Sequence, residues 1–265
     1  MARVRAVRNS KPLLGGLSVE LTDRVALITG GATGIGRATA LALARGGAHI
    51  AVNFSRSAAE AEETVAEVRA LGRWAIAVQA NVADEPAVRA MVDRVVGEFG
   101  RLDIVVNSAG TTRFIPFEDL GALTDEIWQE IMQVNLMGAF YTARAAGPHL
   151  IAQRQGAIVN VASMAGVYGY GSSLPYAVSK GALITLTKAL ARVFAPHNVR
   201  VNAVAPGVVQ TRWVAGQEAF IEQARQLTPL GRVALPEDVA HTIRYLVESD
   251  FIVGQVIYLD GGRTI

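Results

Sequence analysis

The sequence contains a tyrosine and a lysine four residues apart, Tyr176 and Lys180. On a helix, this spacing places both side chains on one face. An unperturbed tyrosine has a pKa of about 10, and a cation one turn away favours the phenolate and brings the pKa toward neutrality. The pair therefore has the chemistry of a general acid and base, although an exposed aromatic beside a solvated lysine would show the same spacing.

A glycine-rich turn, Thr29 to Gly36, directly follows an apolar strand pattern and precedes an Ala- and Leu-rich segment, residues 37–45. A strand, a glycine turn and a helix in succession direct backbone N–H groups and the positive end of the helix at a pyrophosphate. The glycine spacing differs from G-x-G-x-x-G, so tight packing alone remains an alternative interpretation.

Strand and helix patterns alternate from Asp23 onward, and most of the strand patterns are continuous apolar runs. Such runs are typical of strands buried on both faces of a parallel sheet. The predicted strands are Val25–Thr29, His49–Phe54, Ala75–Gln79, Ile104–Asn107, Ala157–Val161, Arg200–Ala205 and Gln255–Leu259. The alternation predicts a single doubly wound α/β domain.

Three helices can be placed from local patterns. Ser57 to Glu60 forms a capping-box pattern that opens a helix ending at Gly72. An apolar stripe from Val88 to Phe99 has helical spacing and predicts one buried face. The Tyr–Lys pair lies on a helix expected over Leu174–Phe194.

Composition excludes several classes of function. The chain has no cysteine, so it has neither disulfides nor thiolate metal sites, and we expect it in the cytoplasm. Residues 1–20 carry four basic residues and one acidic residue, whereas the rest has 21 basic and 22 acidic residues. We therefore interpret residues 1–20 as a flexible basic extension, with a targeting arm as the alternative, and residues 21–265 as the catalytic domain. Neither nucleic-acid binding nor a membrane span is expected.

Taken together, these motifs resemble the short-chain dehydrogenase/reductase family, in particular its 3-oxoacyl-ACP reductase-like members. The segment from Asn107 to Gly110 and the residues Asn135 and Ser163 complete the resemblance, which runs from about Leu21 to the C-terminus. The resemblance implies a Rossmann-type seven-stranded parallel sheet, a nicotinamide cofactor, no metal and a homotetramer.

The resemblance also implies four catalytic roles. Tyr176 would be the general acid/base, and Lys180 would hold the nicotinamide ribose and lower the pKa of Tyr176. Ser163 would hydrogen-bond the substrate oxygen, and Asn135 would position a water that links Lys180 to solvent. Outside these motifs, Ser163 and Asn135 would be ordinary loop and helix polar residues.

The resemblance extends to the cofactor contacts, with departures at two places. Ser108 follows Asn107 where the family commonly has a second asparagine, and Asn81 and Val82 stand where an aspartate usually contacts adenine. The implied cofactor-binding residues are Gly30, Thr33, Gly34, Ile35, Gly36, Phe54, Ser55, Arg56, Ser57, Asn81, Val82, Asn107, Ala109, Gly110, Tyr176, Lys180, Pro206, Gly207, Val209 and Thr211.

The end of the second strand predicts which nicotinamide cofactor is preferred. Phe54 stands where an NAD-preferring site places its carboxylate, and Ser55, Arg56 and Ser57 follow. A guanidinium and hydroxyls suit a 2′-phosphate, so we expect NADP(H) rather than NAD. Arg56 could instead be a solvated residue at the start of a helix.

The substrate is expected to be a small-molecule ketone or secondary alcohol. The segments 111–123, 164–174 and 208–230 would shape its pocket, with Phe114, Tyr168, Tyr170 and Trp213 as candidate lining residues. The sequence leaves open 3-oxoacyl reductases, NAD-preferring sugar or alcohol dehydrogenases, and a sensor or scaffold that binds NADP without turnover. The serine, tyrosine and lysine argue against the sensor, since a binding module needs none of them.

Overall fold

A computed structural model describes residues 18–265. Its strands form one parallel sheet: β1 (Val25–Thr29), β2 (His49–Phe54), β3 (Ala75–Gln79), β4 (Ile104–Asn107), β5 (Gly156–Val161), β6 (Val199–Pro206) and β7 (Val256–Leu259). Their order in the sheet is β3-β2-β1-β4-β5-β6-β7. The predicted seven-stranded, doubly wound Rossmann-type sheet is confirmed, and each predicted strand end lies within one residue of the observed end.

The helices of the described residues are α1 (Gly34–Arg45), α2 (Ala58–Ala70), α3 (Glu85–Phe99), α4 (Asp125–Met132), α5 (Gly138–Gln153), α6 (Ala165–Tyr168), α7 (Leu174–Phe194), α8 (Glu218–Gln226) and α9 (Pro236–Glu248). A π-helical turn, Gln133–Met137, joins α4 to α5. Helix α7 has the bounds that the sequence predicted. The apolar stripe of α3 is buried, as its helical spacing indicated.

The sheet separates two apolar clusters because successive side chains of a strand point to opposite faces. In β1, Ala26 and Ile28 pack with α1, α2 and α9, whereas Val25 and Leu27 pack with α3, α5 and α7. All four side chains are almost completely buried. Burial on both faces explains why the strands read as continuous apolar runs.

Two glycines fix how α7 lies against the loop that follows β5. A Cβ on Gly166 in α6 would lie 2.4 Å from the backbone nitrogen of Gly181 and 2.4 Å from the carbonyl carbon of Lys180. The backbones of α6 and α7 therefore touch without intervening side chains. This contact fixes the distance between the face of α7 that carries Tyr176 and Lys180 and the end of β5.

The predicted N-terminal extension, residues 1–20, lies mostly outside the described residues. Its last three residues pack on the domain: Ser18 forms an antiparallel bridge with Ser249, and the Val19 N–H donates to the Glu248 carbonyl at 2.6 Å. The packed part of the chain thus begins no later than Ser18. Between Ser18 and Ile265, no helix combines the length and apolarity that crossing a bilayer requires.

The contact between α6 and α7 predicts opposite effects of two alanine substitutions. Gly166→Ala should destabilise the protein by about 1–3 kcal/mol, because its Cβ must displace backbone atoms. The matched control is Gly97→Ala in α3, where a Cβ would meet no atom within 4 Å. The control should stabilise the fold by roughly 0.5–1 kcal/mol, because alanine favours the helix. Denaturant unfolding of both variants measures the difference, and equal effects would contradict the close contact.

Candidate active site

A cleft of about 1240 Å³ opens at the carboxyl ends of the strands. It lies where β1 has β2 on one side and β4 on the other, which is the point where ligands bind in sheets of this type. The loops after β1, β2, β4, β5 and β6 line it. Nearly all of the predicted site residues are among its lining residues, and the exceptions lie directly behind them: Gly36, Asn107 and Asn135.

The glycine turn forms one wall of the cleft. Gly30 and Gly34 have φ angles of +63° and +54°, a backbone conformation that favours glycine. A Cβ on Gly36 would lie 2.2 Å from the Gly30 carbonyl oxygen, so this glycine packs α1 against the turn. The N-cap residue of α1, Thr33, makes no side-chain capping bond. The first N–H groups of α1 can therefore bind an anion.

Asn53 holds this turn to the sheet, and the sequence analysis did not single it out. Its Oδ1 accepts from the Gly30 N–H at 3.3 Å, and its Nδ2 donates to the carbonyls of Val78 and Ala80 at 3.2 and 3.0 Å. The side chain is 1% exposed. A single polar residue inside an apolar, fully buried strand was the available signal, since such a group needs partners.

Lys180 and Tyr176 meet at the nicotinamide end of the predicted site. Lys180 is 4% exposed, and its Nζ donates to the Val161 carbonyl at 2.8 Å. Burial lowers the pKa of Lys180 to about 8. The Lys180 Nζ lies 5.7 Å from the centre of the Tyr176 ring.

The pKa of Tyr176 differs from the sequence-based expectation. Burial raises it above the usual value, and the neighbouring Ser163 hydroxyl opposes this shift. Among the described residues burial is the largest influence on this pKa, so the net direction is upward rather than the expected lowering. The phenol is therefore protonated near neutral pH.

Ser163 follows β5 and faces the cleft beside Tyr176. Its Oγ accepts from the Ala165 N–H at 3.1 Å, at the start of α6. This bond orients the hydroxyl, which also neighbours the phenol of Tyr176 and opposes the rise in its pKa. The role expected for Ser163 stays a prediction.

Asn135 lies in the π-helical turn and is 1% exposed. Its Oδ1 accepts from the Thr111 N–H at 2.8 Å, and its Nδ2 donates to the Thr111 carbonyl and to the Ser179 Oγ, both at 3.0 Å. Both donors of the amide are thus used by the protein. The side chain therefore connects the loop after β4 to α7. The water-positioning role expected for Asn135 stays a prediction.

Asn107 is also buried and does not reach the cleft. Its Nδ2 donates to Asn160 Oδ1 at 2.8 Å, and Asn160 Nδ2 donates to Thr187 Oγ1 at 2.9 Å. Asn107 Oδ1 has no partner among the described residues. The side chain therefore connects β4, through β5, to α7, and the cleft beyond it is lined by Ala109 and Gly110.

At the opposite end of the cleft, an arginine that the sequence analysis did not single out reaches the start of α2. Arg212 Nη1 and Nη2 lie 3.2 and 3.3 Å from the Ser57 Oγ, and Nη1 lies 3.6 Å from a Glu60 oxygen. Ser57 is the N-cap of α2, as predicted, but its side chain makes no capping bond. The predicted capping box is wrong, because the Ser57 hydroxyl is used by Arg212 instead.

Aromatic side chains surround the mouth of the cleft above Tyr176. Tyr170 stacks on Phe117 with ring centres 4.9 Å apart, and Trp213 meets Tyr176 edge-on at 6.2 Å. The four predicted lining residues Phe114, Tyr168, Tyr170 and Trp213 all contribute to the cleft. Three of them are more than half exposed, so the mouth presents apolar surface to a ligand.

Comparison with known proteins identifies the family. The family model described as enoyl-(acyl carrier protein) reductase matches residues 30–264. The chain belongs to the short-chain dehydrogenase/reductase family. It is therefore an oxidoreductase that uses a nicotinamide cofactor, and the resemblance drawn from its motifs is confirmed.

Relatives within the short-chain dehydrogenases/reductases match nearly the whole chain. Ketoacyl reductase 2 of the granaticin polyketide synthase of Streptomyces violaceoruber is 45% identical, covering 90% of this chain and 95% of that one. A 3-oxoacyl-[acyl-carrier-protein] reductase of Synechocystis is 40% identical, covering 92% and 98%. The crystal structure of a family member from Mycobacterium marinum superposes with a TM-score of 0.87 at 34% identity, covering 92% and 97%.

The cleft of this short-chain dehydrogenase/reductase fits a nicotinamide dinucleotide. A Cβ on Gly110 would lie 3.4 Å from Asn135 Oδ1, 3.5 Å from Trp213 and 3.7 Å from Lys180 Nζ. Its absence leaves a cradle in which a ribose can reach the ammonium. The uncapped N–H groups of α1 suit the pyrophosphate, and the cleft extends to Arg56 for the adenosine end.

Burial of Lys180 predicts a specific dependence of stability on pH. Below pH 8 the Lys180 ammonium is charged in both the folded and the unfolded chain, so its burial destabilises the fold. Between pH 8 and 10.5 the unfolded chain binds more protons at this position than the folded chain, so stability rises with pH. Lys180→Met should therefore be more stable than the wild type at pH 7, by about 1–3 kcal/mol, and the gap should narrow by pH 10.

Denaturant unfolding of both proteins at several pH values measures this gap. Groups that titrate elsewhere affect both proteins and cancel in the comparison. A gap that stays constant from pH 7 to 10 would contradict a lowered pKa for Lys180.

Proposed function

We propose that the protein is an NADPH-dependent ketoreductase that reduces a ketone of the 3-oxoacyl-thioester class, with Tyr176 as the proton donor. The observation that carries this proposal is the convergence of Ser163 and Tyr176 on one wall of the cleft, beside the buried Lys180 and below the aromatic mouth. A site that only sensed a nucleotide would need neither a proton donor nor a hydroxyl directed at a substrate oxygen.

The residues of the chain account for the proton-transfer part of the reaction. A bound nicotinamide would supply the hydride. Ser163 donates a hydrogen bond to the carbonyl oxygen and stabilises the negative charge that develops there. Tyr176 transfers its proton to the same oxygen, and its raised pKa keeps it protonated near neutral pH, which is the state that reduction requires. Lys180 holds the ribose, and its charge stabilises the phenolate that remains.

Two observations support an acyl-type ketone as the substrate. The relatives from Streptomyces violaceoruber and Synechocystis are named as ketoacyl and 3-oxoacyl reductases. The mouth of the cleft is formed largely by aromatic side chains such as Phe114 and Tyr168, which suit an apolar chain better than a sugar.

The adenosine end of the cleft supports NADPH over NADH. Phe54 packs partly on the core, and Ser55 and Arg56 project into the cleft, both exposed. Across residues 18–265, Arg56 has no salt bridge, so its guanidinium is available to a phosphate. No carboxylate stands at position 54 to accept from a ribose hydroxyl pair or to repel the 2′-phosphate.

A homotetramer in the cytoplasm remains the predicted state of the protein. The face of α7 that points away from the cleft carries Ala182, Leu186, Ala189 and Val193, and Val193 is 60% exposed. An apolar helix face of this kind suits a two-fold contact with a second copy. Light scattering at micromolar concentration should give the mass of four chains, and the mass of one chain would contradict the prediction.

The acid–base role of Tyr176 predicts the behaviour of Tyr176→Phe. This variant keeps the ring but lacks the proton, so NADPH should still bind while kcat for a 3-oxoacyl thioester falls by about 10² to 10⁴-fold. Tyr245→Phe, at an exposed tyrosine on α9, is the matched control and should keep full activity. Activity of Tyr176→Phe within a few-fold of the wild type would show that the assignment is wrong. Wild-type protein that binds NADPH without reducing any ketone would favour the sensor.

The cofactor preference predicts the effects of two further substitutions. Arg56→Ala should weaken the binding of NADPH roughly ten- to a hundred-fold and leave the binding of NADH nearly unchanged, because only NADPH carries the 2′-phosphate. Phe54→Asp should supply a ribose acceptor and shift the preference toward NADH. The measurement is kcat/KM for both cofactors in the three proteins. A wild type that already prefers NADH would be incompatible with this role for Arg56.

A further inference from the structure

The segment after β6 crosses the cleft from the nicotinamide end to the adenosine end. Thr211 lies over the glycine turn: its Cγ2 is 3.4 Å from the position that a Cβ on Gly34 would take. The next residue, Arg212, reaches Ser57 at the start of α2, and Trp213 then lies against Tyr176. One short stretch of chain thus touches both ends of the cofactor cleft.

The present partners of Arg212 hold it only weakly. Its ion pair with Glu60 has an N–O distance of 3.6 Å, and both side chains are about half exposed, at 56% and 44%. Exposed pairs of this kind contribute little to stability. The two nitrogens share a single hydroxyl oxygen on Ser57, so the planar guanidinium does not use its fork of parallel donors here.

The surroundings of Arg212 match a phosphate dianion. Ser57 and Arg56 line the same end of the cleft as Arg212, together with the hydroxyl of Ser55. Glu60 is the acidic group beside this cluster, and among residues 18–265 its carboxylate forms an ion pair with Arg212 alone. A phosphate that entered here would offer Arg212 two oxygens in the geometry that a guanidinium binds best.

We infer that Arg212 is a second recognition residue for the 2′-phosphate of NADPH, acting with Arg56 from the opposite side of the cleft. The inference rests on the proposed NADPH preference and adds a consequence. Because Trp213 follows Arg212 directly, the phosphate that binds Arg212 also fixes the aromatic ring beside Tyr176. Recognition at the adenosine end is thereby connected to the wall of the substrate site.

The first test measures binding of cofactor fragments and needs no turnover. Calorimetry compares 2′,5′-ADP, which carries the 2′-phosphate, with 5′-AMP, which lacks it, on the full chain. Wild type should bind 2′,5′-ADP more tightly. Arg212→Ala should weaken the binding of 2′,5′-ADP by about ten-fold or more. Its affinity for 5′-AMP should stay within about two-fold of the wild type. The matched control is Arg225→Ala on α8, an exposed arginine paired with Glu222, which should bind both fragments as the wild type does.

The outcomes separate this inference from the proposed function. Wild type that binds the two fragments equally would overturn the NADPH preference, and with it the role of Arg212. A wild type that discriminates between them, combined with an Arg212→Ala variant that discriminates equally well, would overturn the role of Arg212 alone. Equal weakening of both fragments in Arg212→Ala would also overturn it, because that pattern reports damage to the loop.

The second test follows Trp213 by its fluorescence. Saturating 2′,5′-ADP should change the tryptophan emission of the wild type, and saturating 5′-AMP should not. The change should disappear both in Trp213→Phe, which identifies its source, and in Arg212→Ala, which removes the connection. An undiminished change in Arg212→Ala at saturating 2′,5′-ADP would overturn the link between phosphate recognition and the substrate-site wall.

Discussion

Helix α7 is held against the sheet by buried amide and hydroxyl hydrogen bonds. Asn160 connects the end of β4 to Thr187, and Asn135 donates to Ser179 one turn from Tyr176. Each of these groups is buried, so each needs a partner to offset its desolvation. A rotation of α7 about its axis would break several of these bonds together. Apolar packing alone would tolerate such a rotation far better, so the polar contacts set the direction in which Tyr176 and Lys180 point.

This helix places two ionisable groups in an environment that disfavours their charged forms. Burial disfavours the charge on Lys180 and also disfavours the phenolate form of Tyr176. The ammonium is compensated by one carbonyl of β5, and no carboxylate among residues 18–265 forms a salt bridge with it. A cation left with such modest compensation interacts strongly with any oxygen-rich ligand that comes within reach. Burial of these groups therefore lowers folding stability. It also creates a site in which the protonation of the groups can change when a ligand binds.

Local patterns predicted the strands and α7, because strand burial and helical spacing are properties of neighbouring residues. The positions that line the cleft were predicted from the resemblance to the short-chain dehydrogenases/reductases. Contacts between segments that are far apart in the sequence could not be predicted from local patterns. Arg212 and Ser57 are separated by 155 positions, and nothing in the sequence around either residue indicates their meeting. Ser57 has the local pattern of a capping box, but its hydroxyl is taken by this distant arginine. The hydrogen-bond partners of Asn135 could not be predicted for the same reason, since they come from the loop after β4 and from α7.

At the end of β2, neighbouring residues have two different structural roles, and Asn53 has only the first of them. Its side chain ties the glycine turn to the end of β3, whereas Ser55 and Arg56, just beyond the end of β2, project into the cleft and are exposed. Mutations at positions 55 and 56 can therefore accumulate without disturbing the glycine turn. During evolution, a protein with this architecture can change its preference between NADPH and NADH through a few surface substitutions. Its fold and its catalytic chemistry stay the same.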